Sequence, residues 1–201
     1  PDFKSVSDSL PTKALTVSAW VSVNTARQWG GILGVIQDNG NSEKGWVLGY
    51  NESTFYFGLA TEGADDGNGA MTYLKANTKY DLGKLYHVAA TYDGNKTEIY
   101  INGKVENSIT AQSGSIHYPD SAPYVLGAYQ DADEFYPHHG RIRDVKLFGQ
   151  AATAEWVKKE FAHNESLANE KWNEVEPSFE ILVKPYLQFA TKTSMTVMWQ
   201  T

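Results

Sequence analysis

Apolar and polar residues alternate along residues 85–103 in a pattern that predicts two β-strands joined by a tight turn. A period of two is the period of a strand, because successive side chains point to opposite faces. The residues predicted to share one face of each strand are Tyr86, Val88, Ala90 and Tyr92 in the first and Thr97, Ile99 and Ile101 in the second. Asp93-Gly94 and Asn102-Gly103 tolerate positive φ, so each pair predicts a two-residue hairpin turn. The hairpin implies an antiparallel sheet with one face on a core.

Similar strand patterns occur before and after this hairpin. Predicted strands cover residues 14–23, 30–37, 45–50, 54–60, 70–75, 104–109, 123–129 and 140–148. Trp20 stands among small polar residues, which indicates that the second face of its strand is also partly covered. Gly34 indicates a bulge or the close approach of a neighbouring backbone, and uneven apolar spacing predicts a bulge near Arg143. Many short strands and hairpins predict an all-β, two-sheet antiparallel sandwich.

The pattern changes after Gly149. Thr153 is the predicted N-cap of a helix at 154–162. The predicted buried residues of this helix are Trp156, Val157 and Phe161. Residues 163–178 are polar and are predicted to form a linker, and residues 179–201 contain two further strands. About 23 residues bury too little area to fold alone, so we expect them to open a second domain and to pair with an exposed sheet edge or a second copy.

Composition and charge narrow the range of partners. The 201 residues carry a net charge of −7 without a basic stripe, which argues against nucleic acid. No apolar run reaches the roughly 18–20 residues that a membrane span needs. The chain has no cysteine, so disulfides and thiolate metal sites are excluded. A β-protein without cysteine fits a secreted, periplasmic or cell-surface module of a bacterium.

Three segments together resemble the laminin-G-like branch of the concanavalin A-like lectin/glucanase superfamily. They are residues 15–23, residues 90–104, and residues 124–128 followed by 140–148. Their order and spacing are similar to the family's, and so is the helix after the last strand. The resemblance covers roughly residues 1–162 and implies a jelly-roll of two antiparallel sheets, with residues 2–6 as its first strand. Arg143 stands where the family often has Asp, so the role of that acid is not carried over.

The tail carries a second resemblance. Residues 184–188 and 193–201 resemble the opening strands of the fibronectin-III-like domain of purple acid phosphatases and related metallophosphoesterases. The resemblance implies a larger protein with a dimetal phosphoesterase domain downstream. The Asp, His and Asn metal motifs of such a domain do not occur in these 201 residues.

Candidate catalytic and metal-binding groups are few. Retaining glucanases of the superfamily place paired acids on one strand, since the two carboxyl groups must lie about 5 Å apart. Glu98 stands alone, so no catalytic residue is predicted. Two acidic loops have the composition of a Ca²⁺ site, a ligand type frequent in the superfamily, although solvated loops are the simpler interpretation. The candidate metal ligands are Asp65, Asp66, Asp131 and Asp133.

A sugar site needs an aromatic ring to stack on the sugar, with polar groups for its hydroxyls. Candidate residues with these properties are Trp46, Tyr129, Asp131, Asp133, Tyr136 and His138. The alternative for Trp46 and Tyr129 is packing in the core or at its rim. His138 and His139 could also bind a transition metal, but adjacent residues of an extended segment point apart.

The sequence therefore predicts a non-catalytic module that binds a glycan or another surface polymer. Under this hypothesis the module positions a downstream metallophosphoesterase domain of the same polypeptide. One alternative is a structural or protein-interaction module that packs on that enzyme domain. A second is a glycan-active enzyme with an atypical site.

Overall fold

The structure, a computed structural model, describes residues 10–39, 42–64, 70–120, 123–169, 183–188 and 196–200. The strands are β1 Leu15–Val23, β2 Gly30–Asp38, β3 Glu43–Asn51, β4 Thr54–Ala60, β5 Met71–Lys79, β6 Leu85–Tyr92, β7 Thr97–Ile101, β8 Lys104–Ile109, β9 Val125–Leu126, β10 Ala128–Gln130, β11 Phe135–Pro137, β12 Gly140–Phe148, β13 Val183–Gln188 and β14 Thr196–Gln200. Helix α1 covers Ala154–His163, and short 3-10 helices cover Glu62–Ala64 and Glu165–Asn169.

Two five-stranded antiparallel sheets face each other. Sheet 1 has the order β12-β1-β6-β7-β8, and sheet 2 has the order β5-β4-β3-β2-β9. The all-β, two-sheet antiparallel sandwich predicted from the alternation is confirmed.

The core lies between the sheets and is built from every second residue of the strands. In sheet 1 the predicted residues Tyr86, Val88, Ala90, Tyr92, Ile99 and Ile101 all enter it. Phe55, Phe57 and Trp46 of sheet 2 meet them with side chains no more than 1 % exposed. Burial of each large apolar side chain contributes about 1.5–3 kcal/mol, which fixes the register of both sheets.

Helix α1 covers the outer face of sheet 1. Thr153 caps it as predicted, because its hydroxyl accepts a hydrogen bond from the Trp156 N–H at 3.2 Å. The Phe161 ring stacks on Trp20 with 5.7 Å between centroids, and His87 lies beside both rings. The second face around Trp20 is therefore covered, as its position in the sequence indicated.

Both predicted irregularities have a physical basis in the structure. Near Arg143 the β1–β12 register shifts, and Asp144 takes a φ of 49°, so the predicted bulge is confirmed. At Gly34 there is no register shift, because the shift in β2 falls between Gly31 and Leu33. A Cβ on Gly34 would lie only 2.8 Å from the Trp46 carbonyl oxygen, so close backbone approach explains this glycine.

The two predicted hairpin turns have different outcomes. Asn102 and Gly103 form the expected two-residue turn, with φ values of 49° and 76°. The two-residue turn at Asp93-Gly94 is wrong, because Tyr92 pairs with Thr97 and leaves a longer loop over 93–96. The Asp93 carboxylate closes that loop by accepting from the backbone N–H groups of residues 95 and 96 at 2.9 and 2.7 Å.

Two strand predictions need correction. β5 continues to Lys79 rather than ending at residue 75, since Glu106 of β8 accepts from the N–H groups of Asn77 and Thr78. The single strand predicted over 123–129 is divided at Gly127, whose φ is 84°, into β9 and β10. Between the strands predicted at 123–129 and 140–148, the structure has a further short strand, β11, which pairs with β10 as a ribbon.

The tail strands β13 and β14 pair antiparallel with each other. Within the described residues they therefore do not join an edge of either five-stranded sheet, and pairing with a second copy stays a prediction. The predicted first strand at 2–6, most of the linker at 163–178, and the start of the strand at 180–184 lie outside the described residues. Among the helices described, none is both long and apolar enough to cross a membrane.

Candidate functional site

The outer face of sheet 2 points away from the core and is lined with aromatic side chains. Along β4, Phe55 enters the core, so the next residue, Tyr56, points outward beside Tyr73 of β5. The loop before β2 and the β10–β11 ribbon add further rings. We call the whole set, Trp29, Tyr56, Tyr73, Tyr129 and Tyr136, the aromatic face.

Glycines beneath the rings make room for this face. A Cβ on Gly49 would lie 2.7 Å from the Tyr56 hydroxyl oxygen. A Cβ on Gly31 would collide with the backbone of Ala128 and Tyr129. Glycine at residue 31 therefore lets the β10–β11 ribbon lie directly on β2, which places two tyrosines at the margin of the face.

The rings form two contacting groups. The Trp29 ring centroid lies 5.2 Å from that of Tyr73 and 5.7 Å from that of Tyr56. The centroids of Tyr129 and Tyr136 are 5.8 Å apart. Tyr56 and Tyr129 are 0 % and 2 % exposed, whereas the other three rings are half-buried. The half-buried rings present part of their surface to solvent, and the buried rings support them.

Asp38, at the end of β2, connects the two groups of rings. Its Oδ2 accepts hydrogen bonds from the Tyr73 hydroxyl at 2.9 Å and the Tyr129 hydroxyl at 3.0 Å. Burial raises the pKa of both tyrosines well above the usual value, and the Asp38 carboxylate adds to this effect. Both hydroxyls therefore keep their protons and serve as fixed donors to Asp38.

Asp131 organises the loop that follows β10. Its Oδ1 accepts from the N–H groups of Asp133 and Glu134 at 3.1 and 2.8 Å, and its Oδ2 accepts from the Asp38 N–H at 3.0 Å. Glu134 accepts from the Tyr136 hydroxyl at 3.0 Å, which raises the pKa of that tyrosine. The structure thus brings four predicted residues, Tyr129, Asp131, Asp133 and Tyr136, to one margin of the aromatic face.

Hydrogen bonds within the protein use most of the acceptor capacity of Asp131. Its two oxygens accept from three N–H groups, and a carboxylate has about four lone-pair sites, so about one site is left for a ligand or an ion. Within the described ranges no group of three or more His, Asp or Glu side chains has the arrangement to hold a metal ion. The other candidates, Asp65 and Asp66, lie outside the described residues.

Trp46 and His138 lie elsewhere. Trp46 is 0 % exposed within the core, and its indole N–H donates to the Tyr118 hydroxyl at 3.0 Å. Its ring is not accessible to a ligand. Trp46 therefore packs in the core, which was the alternative to a role in sugar binding. The His138 ring packs edge-on against Tyr50, with 5.5 Å between the ring centroids. Burial lowers the pKa of His138 to about 4. His138 is therefore neutral at pH 7 and packs against the core.

Three rings of the aromatic face and the acid beside it were not predicted: Trp29, Tyr56, Tyr73 and Asp38. The alternation along β4 could have predicted that Tyr56 faces outward, because its neighbours Phe55 and Phe57 both point into the core. Trp29 adopts a φ of 56° in the loop before β2, and no pattern in the sequence predicts this backbone conformation.

The protein is an antiparallel two-sheet sandwich with a helix over one outer face and rings and carboxylates on the other, which is the fold class that the sequence resemblance implied. Residues 2–158 match the Laminin_G_3 family, described as the concanavalin A-like lectin/glucanases superfamily. The chain belongs to this superfamily, and the resemblance drawn from its sequence is confirmed to that extent.

Two curated relatives match about half of the chain. Pappalysin-1 of Mus musculus and of Homo sapiens are each 26 % identical over 121 residues, 55 % of this chain. The match covers only 7 % of either relative's length.

Two solved structures share the fold. One is domain 4 of AbnA, an extracellular arabinanase from Geobacillus stearothermophilus, in complex with arabinotriose, with a TM-score of 0.54 and 19 % identity. The match covers 79 % of this chain and 68 % of that one. The other is a SAP-like pentraxin from Limulus polyphemus, with a TM-score of 0.54, 21 % identity and coverage of 76 % and 71 %.

Proposed function

We propose that the chain is a non-catalytic carbohydrate-binding module and that the aromatic face is its binding surface. The observation that carries this proposal is the pair of half-buried rings, Trp29 and Tyr73, beside the Asp38 carboxylate. Sugar rings have one apolar face that packs on aromatic rings, and their hydroxyls need fixed polar partners. The arabinotriose complex of the arabinanase domain gives a precedent for a glycan on this fold.

A glycan array followed by isothermal titration tests this proposal on the 201-residue chain. Trp29→Ala is expected to weaken binding about five- to thirtyfold, since the lost ring contact contributes about 1–2 kcal/mol. Trp156→Ala is the matched control, because Trp156 is also half-buried but lies on α1, across the sandwich from the aromatic face. Equal glycan affinity in both variants would contradict the aromatic face as the binding surface, and no binding by the wild type to any glycan would favour a protein-interaction module instead.

The wider context is also part of the proposal. The β13–β14 hairpin carries the residues that resemble a phosphatase-type fibronectin-III-like domain, so we place the module in a secreted or cell-surface metallophosphoesterase. The full coding sequence should then contain the Asp, His and Asn metal motifs, and the full-length protein should hydrolyse p-nitrophenyl phosphate. Absence of those motifs would remove the phosphoesterase while leaving the glycan proposal intact.

Ca²⁺ remains a separate prediction. Titration of Ca²⁺ into the metal-free chain, with and without Asp133→Asn, measures whether the ion binds at the loop. A midpoint of thermal unfolding that does not change with Ca²⁺ would exclude a structural site there.

A further inference from the structure

We infer that the aromatic face selects glycans without acid groups, neutral or amino sugars, and rejects anionic ones. This inference rests on the proposed function and specifies its ligand class. It follows from the hydrogen-bonding state of the tyrosines and from the distribution of carboxylates.

The tyrosine protons of the aromatic face are directed at carboxylates within the protein. Tyr73 and Tyr129 donate to Asp38, and Tyr136 donates to Glu134. A phenol has one proton, so what each of these three hydroxyls can still offer a ligand is a lone pair. The polar surface of the face is therefore composed mainly of acceptors.

Asp38 has one carboxylate oxygen to spare. Its Oδ2 takes both tyrosine protons, while Oδ1 accepts no hydrogen bond from the described residues. An acceptor at this position suits a hydroxyl or an ammonium group, each of which brings its own proton. A ligand carboxylate or sulfate has no proton to donate, so its oxygens would face the Asp38 oxygen and repel it.

Further carboxylates cluster beside Asp38. Glu43 pairs with Asp38 across β2 and β3, and its Oε2 accepts from the Met71 N–H at 2.6 Å. Asp131 accepts from the Asp38 N–H, and Asp133 and Glu134 lie in the same loop as Asp131. The nearest lysines by strand register are Lys44, next to Glu43, and Lys75, opposite Tyr56.

The acids outnumber these lysines and Arg27, which lies two residues before Trp29. Five carboxylates lie at or beside the face, those of Asp38, Glu43, Asp131, Asp133 and Glu134. The face thus carries more negative than positive side chains, and a negative field disfavours an anionic ligand at close range and during approach.

Matched probes that differ only in charge test this inference. Gluco-, manno- and galacto-hexasaccharides are titrated alongside their C6-oxidised forms, in which a carboxylate replaces the hydroxymethyl group. Chitin and chitosan hexamers extend the comparison to an amino sugar. We expect each oxidised probe to bind at least about tenfold more weakly than its neutral parent in 20 mM salt. This deficit should shrink in 500 mM salt, where the Debye length falls to about 4 Å.

Variants locate the effect. Asp38→Asn should reduce the penalty for the oxidised probe, whereas Glu155→Gln, which removes an exposed acid on α1, should leave it unchanged. Equal or tighter binding of oxidised probes by the wild type would overturn the inference while leaving the glycan-binding function standing. Failure of every probe, neutral, amino and oxidised, would overturn the proposed function itself.

Discussion

Tyr73 and Tyr129 donate to the same oxygen, Asp38 Oδ2, so removing one hydroxyl leaves the carboxylate with a single tyrosine donor. Hydrogen bonds to charged groups contribute about 1.5–3 kcal/mol. Because Asp38 is only half-buried, we expect Tyr73→Phe to lower the free energy of unfolding by about 1–2 kcal/mol in a urea titration. Tyr124→Phe is the control, since the Tyr124 hydroxyl forms no hydrogen bond within the described residues. Equal losses in both variants would contradict the role given to Asp38.

Gly49 tests whether the rings need the space beneath them. A methyl group there would lie 2.6 Å from the Gly30 carbonyl oxygen and 2.7 Å from the Tyr56 hydroxyl. Overpacking of this kind costs about 1–3 kcal/mol, so Gly49→Ala should unfold at lower urea and weaken glycan binding. Gly149→Ala is the matched control, because nothing lies within 4 Å of its Cβ position. A Gly49→Ala chain as stable as the control would show that the face repacks freely.

At the level of elements, the Thr153 cap fixes where α1 starts over sheet 1. Its hydroxyl accepts from the Trp156 N–H, and losing an N-cap side chain costs about 1 kcal/mol. Thr153→Ala should therefore lower the free energy of unfolding by about that amount in a chemical denaturation, whereas Thr153→Ser should retain it. If the serine variant lost as much as the alanine variant, packing of the threonine methyl group rather than the cap would be responsible.

The strands of the two sheets and α1 could be predicted because their information is local. Alternation along β1, β6 and β7 decides which side chains enter the core, and the Thr153 cap lies within one turn of its helix. The turn at residue 93 was mispredicted because the Asp93 carboxylate extends the loop by bonding two N–H groups.

The aromatic face could be predicted only in part because its geometry depends on contacts between distant segments. Tyr129, Asp131 and Tyr136 were recognised from one short loop. Their partner Asp38 lies 91 positions before Tyr129, and the ribbon is seated by Gly31 on another strand. Trp46 is the opposite case. The residues next to it in the sequence did not distinguish a position in the core from one on the surface.

At the scale of the whole molecule, one buried and one half-buried histidine make stability depend on pH. His87 lies beneath α1 with no hydrogen-bond partner at Nδ1, and His138 packs against Tyr50. Burial lowers the pKa of each from 6.5 to about 4. The unfolded chain thus binds protons near pH 6.5, while the folded chain binds them only near pH 4. The stability contributed by neutral His87 and His138 is complete above about pH 6.5 and is lost as the pH falls towards 4.

One pKa unit corresponds to about 1.4 kcal/mol, so each histidine should cost up to about 3 kcal/mol of unfolding free energy at pH 4. Urea titrations at pH 7, 5.5 and 4.5 measure this slope. His87→Gln and His138→Gln should each make the slope shallower, because glutamine does not titrate, even if either variant is less stable at pH 7. His163→Gln, at an exposed position of α1, should keep the wild-type slope. If neither buried variant changed the slope, the acid sensitivity would have to arise from groups other than these two histidines.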